Sequence, residues 1–285
     1  MRIGVVGRGS YIGRSFHAFI NAVSDHTCDL IPSRERAWAE ADFSAYDCVL
    51  VCAGIAHNET KSCSEAKYAA INTIMPLEIA QMTKAKGVRH LIFLSSIIVY
   101  GEDDPIGNPK VINPNTVPSP TGAYGRSKLE AERRILPLAD AEFAVAAIRL
   151  PMVYGSGCKG NFQALLDLAK WLPVSLNNEN SRSMIYIENL NHYLLDCVEA
   201  KAGGVLFPQN QEYVSTKGIF ECVAAIRGRR PLFIHVPQPF FGLLAKVVPV
   251  LKKLYGTKVY DPALSTNMAS YNVVSFEESI RHSLA

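Results

Sequence analysis

A phenol and an ammonium stand four residues apart in Tyr124-Gly125-Arg126-Ser127-Lys128. On a helix that spacing puts both side chains on one face, a turn apart. An isolated tyrosine titrates near pKa ~10, too high for a base near neutrality. A neighbouring lysine cation stabilises the phenolate and lowers that value, so Tyr124 is expected to give and take a proton with Lys128 beside it. Alone, the same spacing equally describes a surface helix with a solvated lysine. Segments around Gly7 and Ser96 tip the reading toward chemistry.

The first of these opens the chain. Ile3-Gly4-Val5-Val6 reads as a strand, followed by Gly7-Arg8-Gly9-Ser10-Tyr11-Ile12-Gly13 and a helix with Phe16, Phe19, Ile20 and Val23 at helical spacing. Strand, glycine turn and helix form the context of a dinucleotide site, with a pyrophosphate facing backbone N–H groups at the positive helix end. The spacing departs from G-x-G-x-x-G and matches G-x-x-G-x-x-G with Ser10 at the middle glycine. Gly7, Gly9, Ser10, Tyr11, Ile12 and Gly13 are the candidates there. A second strand over Cys28–Ile31 leads into Pro32-Ser33-Arg34. A hydroxyl beside a guanidinium fork suits a ribose 2′-phosphate, so Ser33 and Arg34 favour NADP(H) over NAD. Asp29 and Glu35 are also near enough to serve the ribose, and Arg34 equally fits a solvated loop cation. A third strand, Asp47–Gly54, ends in Ala53 and Gly54, small residues that leave room for a flat cofactor. A helix over Tyr68–Lys86, a strand over Leu91–Leu94 and then Ser95-Ser96-Ile97-Ile98-Val99-Tyr100-Gly101 follow. Apolar strands alternating with amphipathic helices indicate a parallel, doubly wound α/β sheet.

Composition narrows the partners. With 48% apolar and 19% charged residues the chain is an ordinary globular one, and a net charge of +3 gives no footprint for nucleic acid. The seven cysteines form no C-x-x-C pair and no Cys/His cluster with metal spacing, so a reduced, cytoplasmic protein without a bound metal is expected. Residues 1–7 enter a strand directly, which leaves no signal peptide in the reading. In Pro231–Gly256, three further prolines and Lys246 interrupt the apolar run, which argues against a spanning helix. A helix packed on the core and an interfacial amphipathic segment both fit it.

Read in order, these segments resemble the extended short-chain dehydrogenase/reductase family of nucleotide-sugar epimerases, dehydratases and reductases. The resemblance runs through the glycine turn at 7–13, Asp47 to Gly54, Asn72, Ser95-Ser96-x-x-Val99-Tyr100-Gly101 and Tyr124-x-x-x-Lys128. It continues in Ile148-Arg149-Leu150-Pro151-x-Val153-Tyr154-Gly155 and Arg182-Ser183-x-Ile185-Tyr186-Ile187-Glu188-Asn189. It implies a Rossmann-type NAD(P)-binding domain over residues 1–155, with some later elements returning to it. It also implies a smaller C-terminal α/β substrate domain, mainly 156–285, and a cleft between the two. Tyr124 then looks like the catalytic acid/base, Lys128 the ligand of the nicotinamide ribose, and Ser96 the hydrogen-bond donor to the reacting sugar oxygen. Asn72 either supports that network or ties helix to strand. Pro151 and Tyr154 fall where the family lines the nicotinamide. Asn161, Phe162 and Arg182 belong to the substrate side, with Arg182 on the diphosphate.

The resemblance implies hydride transfer between a sugar C4 and NAD or NADP, with Tyr124 moving the O4 proton. Ile97-Ile98 stand where the 4,6-dehydratase branch carries an Asp-Glu pair, which disfavours dehydration. A 4-epimerase of a UDP-hexose or UDP-N-acetylhexosamine is the leading expectation. Lys159-Gly160-Asn161-Phe162, Leu172-Pro173-Val174 and Ser181-Arg182-Ser183 resemble a bacterial polysaccharide-pathway subgroup of N-acetylhexosamine 4-epimerases and 4-ketoreductases. The alternatives are an NADPH-dependent 4-ketoreductase of a deoxy-ketosugar nucleotide, a 4-epimerase of a polyprenyl-diphosphate-linked sugar, and a non-catalytic NADP-binding regulator. The complete set of Ser96, Tyr124 and Lys128 speaks against the regulator. Homodimers are common in the family, and Tyr68–Lys86 and Ala123–Leu136 are the helices that would form one.

Overall fold

The structure, a computed structural model, describes residues 1–55, 63–101, 106, 109–172, 174–265 and 271–284. In chain order its elements begin with β1 (Arg2–Val6), α1 (Tyr11–Val23), β2 (Thr27–Ile31), β3 (Cys48–Val51), α2 (Glu65–Tyr68) and α3 (Met75–Ala85). Next come β4 (His90–Ser96), β5 (Lys110–Ile112), α4 (Ala123–Ile135), β6 (Ala144–Leu150), β7 (Met152–Tyr154), α5 (Asn161–Trp171) and β8 (Val174–Leu176). The rest are β9 (Met184–Tyr186), α6 (Ile187–Glu199), β10 (Gly204–Leu206), α7 (Thr216–Ile226), β11 (Leu232–Ile234), α8 (Gln238–Val247), α9 (Pro249–Tyr255), β12 (Lys258–Tyr260) and α10 (Phe276–Leu284). Two compact units interleave along this chain. One comprises Met1–Glu102, Val117–Leu150 and Leu190–Pro208, the other Asp103–Thr116, Pro151–Asn189 and Gln209–Ala285.

The first unit holds a six-stranded sheet in the order β10-β6-β4-β3-β1-β2, parallel throughout. Its four inner strands, β1, β3, β4 and β6, are mostly apolar and buried on both faces, as a sheet covered by helices requires. The Rossmann-like sheet matches the expected class, with one difference at its edge. The six-strand order 3-2-1-4-5-6 would place another strand outside β2, whereas here β2 is the edge and β3 crosses directly to the other side of β1. Residues 32–47 explain this, because they form only two 3-10 turns, Arg34–Glu40 and Phe43–Ala45. Buried Trp38 and Phe43 pin that short connection into the core. The carboxyl ends of β1 and β3 therefore flank the point where strand order reverses, the place where open α/β sheets bind ligands.

The helix expected over Tyr68–Lys86 starts earlier and is not uniform. Ser64 caps α2 by accepting from Lys67 N at 3.2 Å, and a π-turn over Ala69–Ile74 leads into α3. Pro76 supplies a reason, since it has no N–H to give the carbonyl four residues back. Helix α1 buries Phe16 and Ile20, but Val23 at its end is exposed and contributes nothing to the core.

The second unit is built from three short parallel pairs, β7–β9, β8–β11 and β5–β12, with helices around them. Its aromatic centre is Tyr154, whose ring lies 4.5 Å from that of Phe162 and 5.6 Å from that of Tyr186.

Candidate active site

The glycine turn after β1 divides by function. Gly7 has φ 126°, in the region glycine favours, and a Cβ there would stand 2.8 Å from Ala53 N. On Gly13 a Cβ would press Val5 Cγ1 at 3.1 Å and Gly7 O at 3.2 Å, so helix α1 lies close against the sheet. Gly9 differs, because nothing stands within 4 Å of its would-be Cβ. Two glycines thus shape the turn and the third opens a space at the helix N-terminus. Ser10 caps that helix, accepting from Gly13 N at 3.3 Å. Tyr11 and Ile12 follow in the first turn of α1, both half-buried. These residues fit a dinucleotide pyrophosphate. Beyond β2, Ser33 is half-buried and Arg34 exposed, while Glu35 and Arg36 adopt left-handed φ of 53° and 59°. Arg36 pairs with Glu78 at 2.9 Å and lies 5.2 Å from the Trp38 ring centre.

At the ends of β3 and β4 the acid–base candidates converge. Gly54 is the meeting point, since a Cβ on it would stand 3.0 Å from Asn72 Oδ1 and 3.4 Å from Lys128 Nζ. Fully buried Asn72 accepts from Ile55 N at 2.8 Å and donates to Ile55 O at 3.1 Å and Ser127 Oγ at 3.3 Å. It therefore ties the π-turn to the end of β3 and to helix α4. Ser96 caps the Ile97–Tyr100 turn, accepting from Ile98 N at 3.3 Å, and its hydroxyl also pairs with that of Tyr124. Gly125 permits this closeness, because a Cβ there would collide with Ile98 O at 2.9 Å.

One sequence expectation fails here. Lys128 does not lower the Tyr124 pKa in the protein alone. Its ammonium donates to Leu94 O at 2.8 Å and lies 4.7 Å from the centre of the Phe93 ring. Burial pushes the Tyr124 phenol up to about 12, against the opposing hydrogen bond from Ser96. Burial also brings Lys128 down to about 8. Helical spacing fixed which face the two residues share, but the dielectric around them sets both titrations.

Among the second-unit candidates, Pro151 is buried at the entry to β7. Phe162 is buried against Tyr154, and both Phe162 and Arg182 line a small cavity of about 20 Å³. The side chain of Asn161, and Pro173, lie outside the described residues. Arg182 donates to Gly256 O at 3.0 Å and Lys252 O at 3.2 Å, so its guanidinium also closes the end of α9. Tyr154 is fully buried, with Asn210 donating to its hydroxyl at 2.8 Å and Ser279 pairing with it at 2.7 Å. Ser183 donates to Gln209 Oε1 at 2.6 Å and accepts from Tyr260 N at 2.7 Å.

Against known proteins, the model of the NAD dependent epimerase/dehydratase family matches residues 7–201. The chain belongs to that family. A UDP-glucose 4-epimerase of Vibrio cholerae is 31% identical over 224 residues, covering 75% of this chain and 68% of that one. An Escherichia coli O157:H7 N-acetyl-alpha-D-glucosaminyl-diphospho-ditrans,octacis-undecaprenol 4-epimerase is 24% identical over 234 residues, covering 79% and 68%. A solved structure of RMD from Pseudomonas aeruginosa complexed with NADPH superposes with a TM-score of 0.74 at 20% identity, covering 99% of this chain and 97% of that one. UDP-glucuronic acid 4-epimerase from Bacillus cereus with NAD gives 0.73 at 16% identity, covering 99% and 97%. This family member is thus an NAD(P)-dependent enzyme of the epimerase/reductase type, among nucleotide-sugar 4-epimerases.

Behind the serine turn the family member carries a buried network that the sequence reading missed. Glu132 on α4 receives Arg149 Nη2 at 2.6 Å and Arg149 Nε at 3.1 Å, and Ser95 also donates to it. Arg149 Nη1 reaches Tyr100 Oη at 2.6 Å. Ser95 and Tyr100 bracket Ser96 and its turn, so this ion pair braces the segment that presents Ser96. The only sequence signal was Arg149 in an otherwise apolar strand.

Proposed function

We propose that this enzyme is a 4-epimerase acting at C4 of a UDP-linked hexose or N-acetylhexosamine. When bound, the dinucleotide supplies the hydride acceptor and donor. Tyr124 takes the O4 proton and returns it, Ser96 hydrogen-bonds the same oxygen, and Lys128 holds the nicotinamide ribose with the donors its ammonium offers beyond Leu94. Asn72 positions Gly54 and helix α4, Pro151 lines the cofactor, and Asn161, Phe162 and Arg182 serve the sugar nucleotide. The observation that carries this reading is the Ser96–Tyr124 hydroxyl pair set beside buried Lys128. Ile97 and Ile98 offer no proton, which disfavours 4,6-dehydration.

Two finer readings have their own support. Ser33 and Arg34 support NADP(H), and with it reduction of a 4-ketosugar. The relative acting on an undecaprenyl-diphosphate sugar supports a lipid-linked substrate. Self-association through the Tyr68–Lys86 stretch and α4 belongs to the same proposal, supported by a groove of about 270 Å³ lined by Thr73 and Ile74 of the π-turn and by Ala123 and Arg126 of α4.

The test is NMR-monitored turnover of UDP-glucose, UDP-N-acetylglucosamine and undecaprenyl-diphosphate N-acetylglucosamine, with and without added NADPH. Tyr124→Phe should lower turnover about 100-fold or more while dinucleotide affinity holds. A Tyr124→Phe enzyme with undiminished turnover would remove the proposed acid–base role.

A further inference from the structure

Helix α8 turns an apolar face outward. Phe240, Leu243, Leu244 and Val247 are 69%, 62%, 42% and 75% exposed, at the spacing i, i+3, i+4, i+7 that makes one continuous stripe. The opposite side is anchored by buried Phe241 and Ala245, with the Phe241 ring 5.4 Å from that of Tyr255. The helix is therefore held in place by one face while a second apolar face meets solvent. A contiguous exposed stripe of large apolar side chains marks an interaction surface.

Charge identifies its partner. Between Glu221 and Asp261 the sequence contains seven lysines and arginines and no acidic residue. Arg229, Arg230, Lys246 and Lys252 are exposed among them. Lys258 is buried in β12, and the side chain of Lys253 lies outside the described residues. At ten residues α8 is too short to span a bilayer, and no helix among the described residues is long and apolar enough to do so.

We propose that α8 docks on an anionic lipid bilayer, with Phe240, Leu243, Leu244 and Val247 entering the headgroup boundary and Lys246 of the same helix and Lys252 of the adjoining α9 facing lipid phosphates. Apolar insertion and basic attraction together are the pattern of interfacial helices. The surface holds whichever substrate the enzyme uses, so it stands apart from the function proposed above.

The experiment is co-sedimentation of the full chain with vesicles of equimolar phosphatidylglycerol and phosphatidylcholine, beside vesicles of phosphatidylcholine alone. The protein should pellet with the mixed vesicles and be released by salt. L243E/V247E should weaken partitioning on the order of 100-fold. Lys246→Glu, a second exposed site that leaves the apolar stripe intact, should weaken it about fivefold or more. Both variants should keep the parent melting temperature and dinucleotide affinity. A parent protein that stays in the supernatant with both vesicle types overturns the proposal, as do variants that pellet like the parent. A solution dimer that L243E/V247E dissociates also overturns it, because the stripe would then be covered by a second copy.

Discussion

Removing one member of the Glu132–Arg149 pair should destabilise the first unit far more than an average substitution. Their side chains are 2% and 10% exposed, and three hydrogen-bond contacts join carboxylate to guanidinium. Breaking such a buried pair from one side costs roughly 3–5 kcal/mol, because the surviving charge stays out of water. At roughly 2–4 °C per kcal/mol for a chain of this size, Glu132→Gln or Arg149→Met should melt on the order of 10 °C lower. The two losses differ in kind. Without Glu132, the Arg149 cation keeps Tyr100 Oη and the faces of the Tyr100 and Phe207 rings at 5.1 and 5.7 Å. Without Arg149, Glu132 keeps only Ser95 of these partners, so a carboxylate is left buried without its cation. Replacing both residues by methionine should cost less than the two single losses together, since no charge is left buried. Differential scanning calorimetry of the three variants measures all of this. Single variants within about 1 kcal/mol of the parent, or losses that simply add, would refute the reasoning.

Gly7→Ala should unfold or strongly destabilise the first unit, whereas Gly9→Ala should melt like the parent and lose dinucleotide affinity about tenfold or more; calorimetry and fluorescence titration with NADPH separate the two. Asn72→Ala strands the Ile55 N–H and C=O, and denaturant titration should show a loss of roughly 2–5 kcal/mol. Lys128, held near 8 by burial against an ordinary value of 10.5, binds fewer protons in the folded than in the unfolded chain between those values. Stability of the parent relative to Lys128→Met should accordingly rise from pH 8 to 10.5, and a flat difference in melting temperature over that range would count against the buried ammonium. Arg182→Met should lower the melting temperature through the freed Lys252 and Gly256 carbonyls, and a drop in UDP affinity measured by calorimetry would add the diphosphate role to the structural one.

Much of the first unit was legible because its signals are local. The apolar run of β1, the glycines after it and the alternation of strands and helices each follow from steric and hydrophobic rules that act within a few residues. The short passage between β2 and β3 was visible as a short passage, but its effect on strand order was not, because pairing partners are chosen across the sheet. The second unit was less legible. Its strands are three residues long, and Tyr154 matched a cofactor-lining position while its hydroxyl is taken by Asn210 and Ser279.

By itself the sequence determined the residue types that can move a proton, their shared helical face, and the turn able to receive a pyrophosphate. Only the tertiary structure decided what surrounds them. It drew Lys128 onto Leu94 and Phe93, raised the Tyr124 phenol instead of lowering it, joined that phenol to Ser96, and set Glu132 with Arg149 behind the serine turn. The reason is that spacing along a helix is a property of the backbone, whereas a titration depends on every charge, dipole and loss of water around the group, and those arrive from segments far apart in the chain.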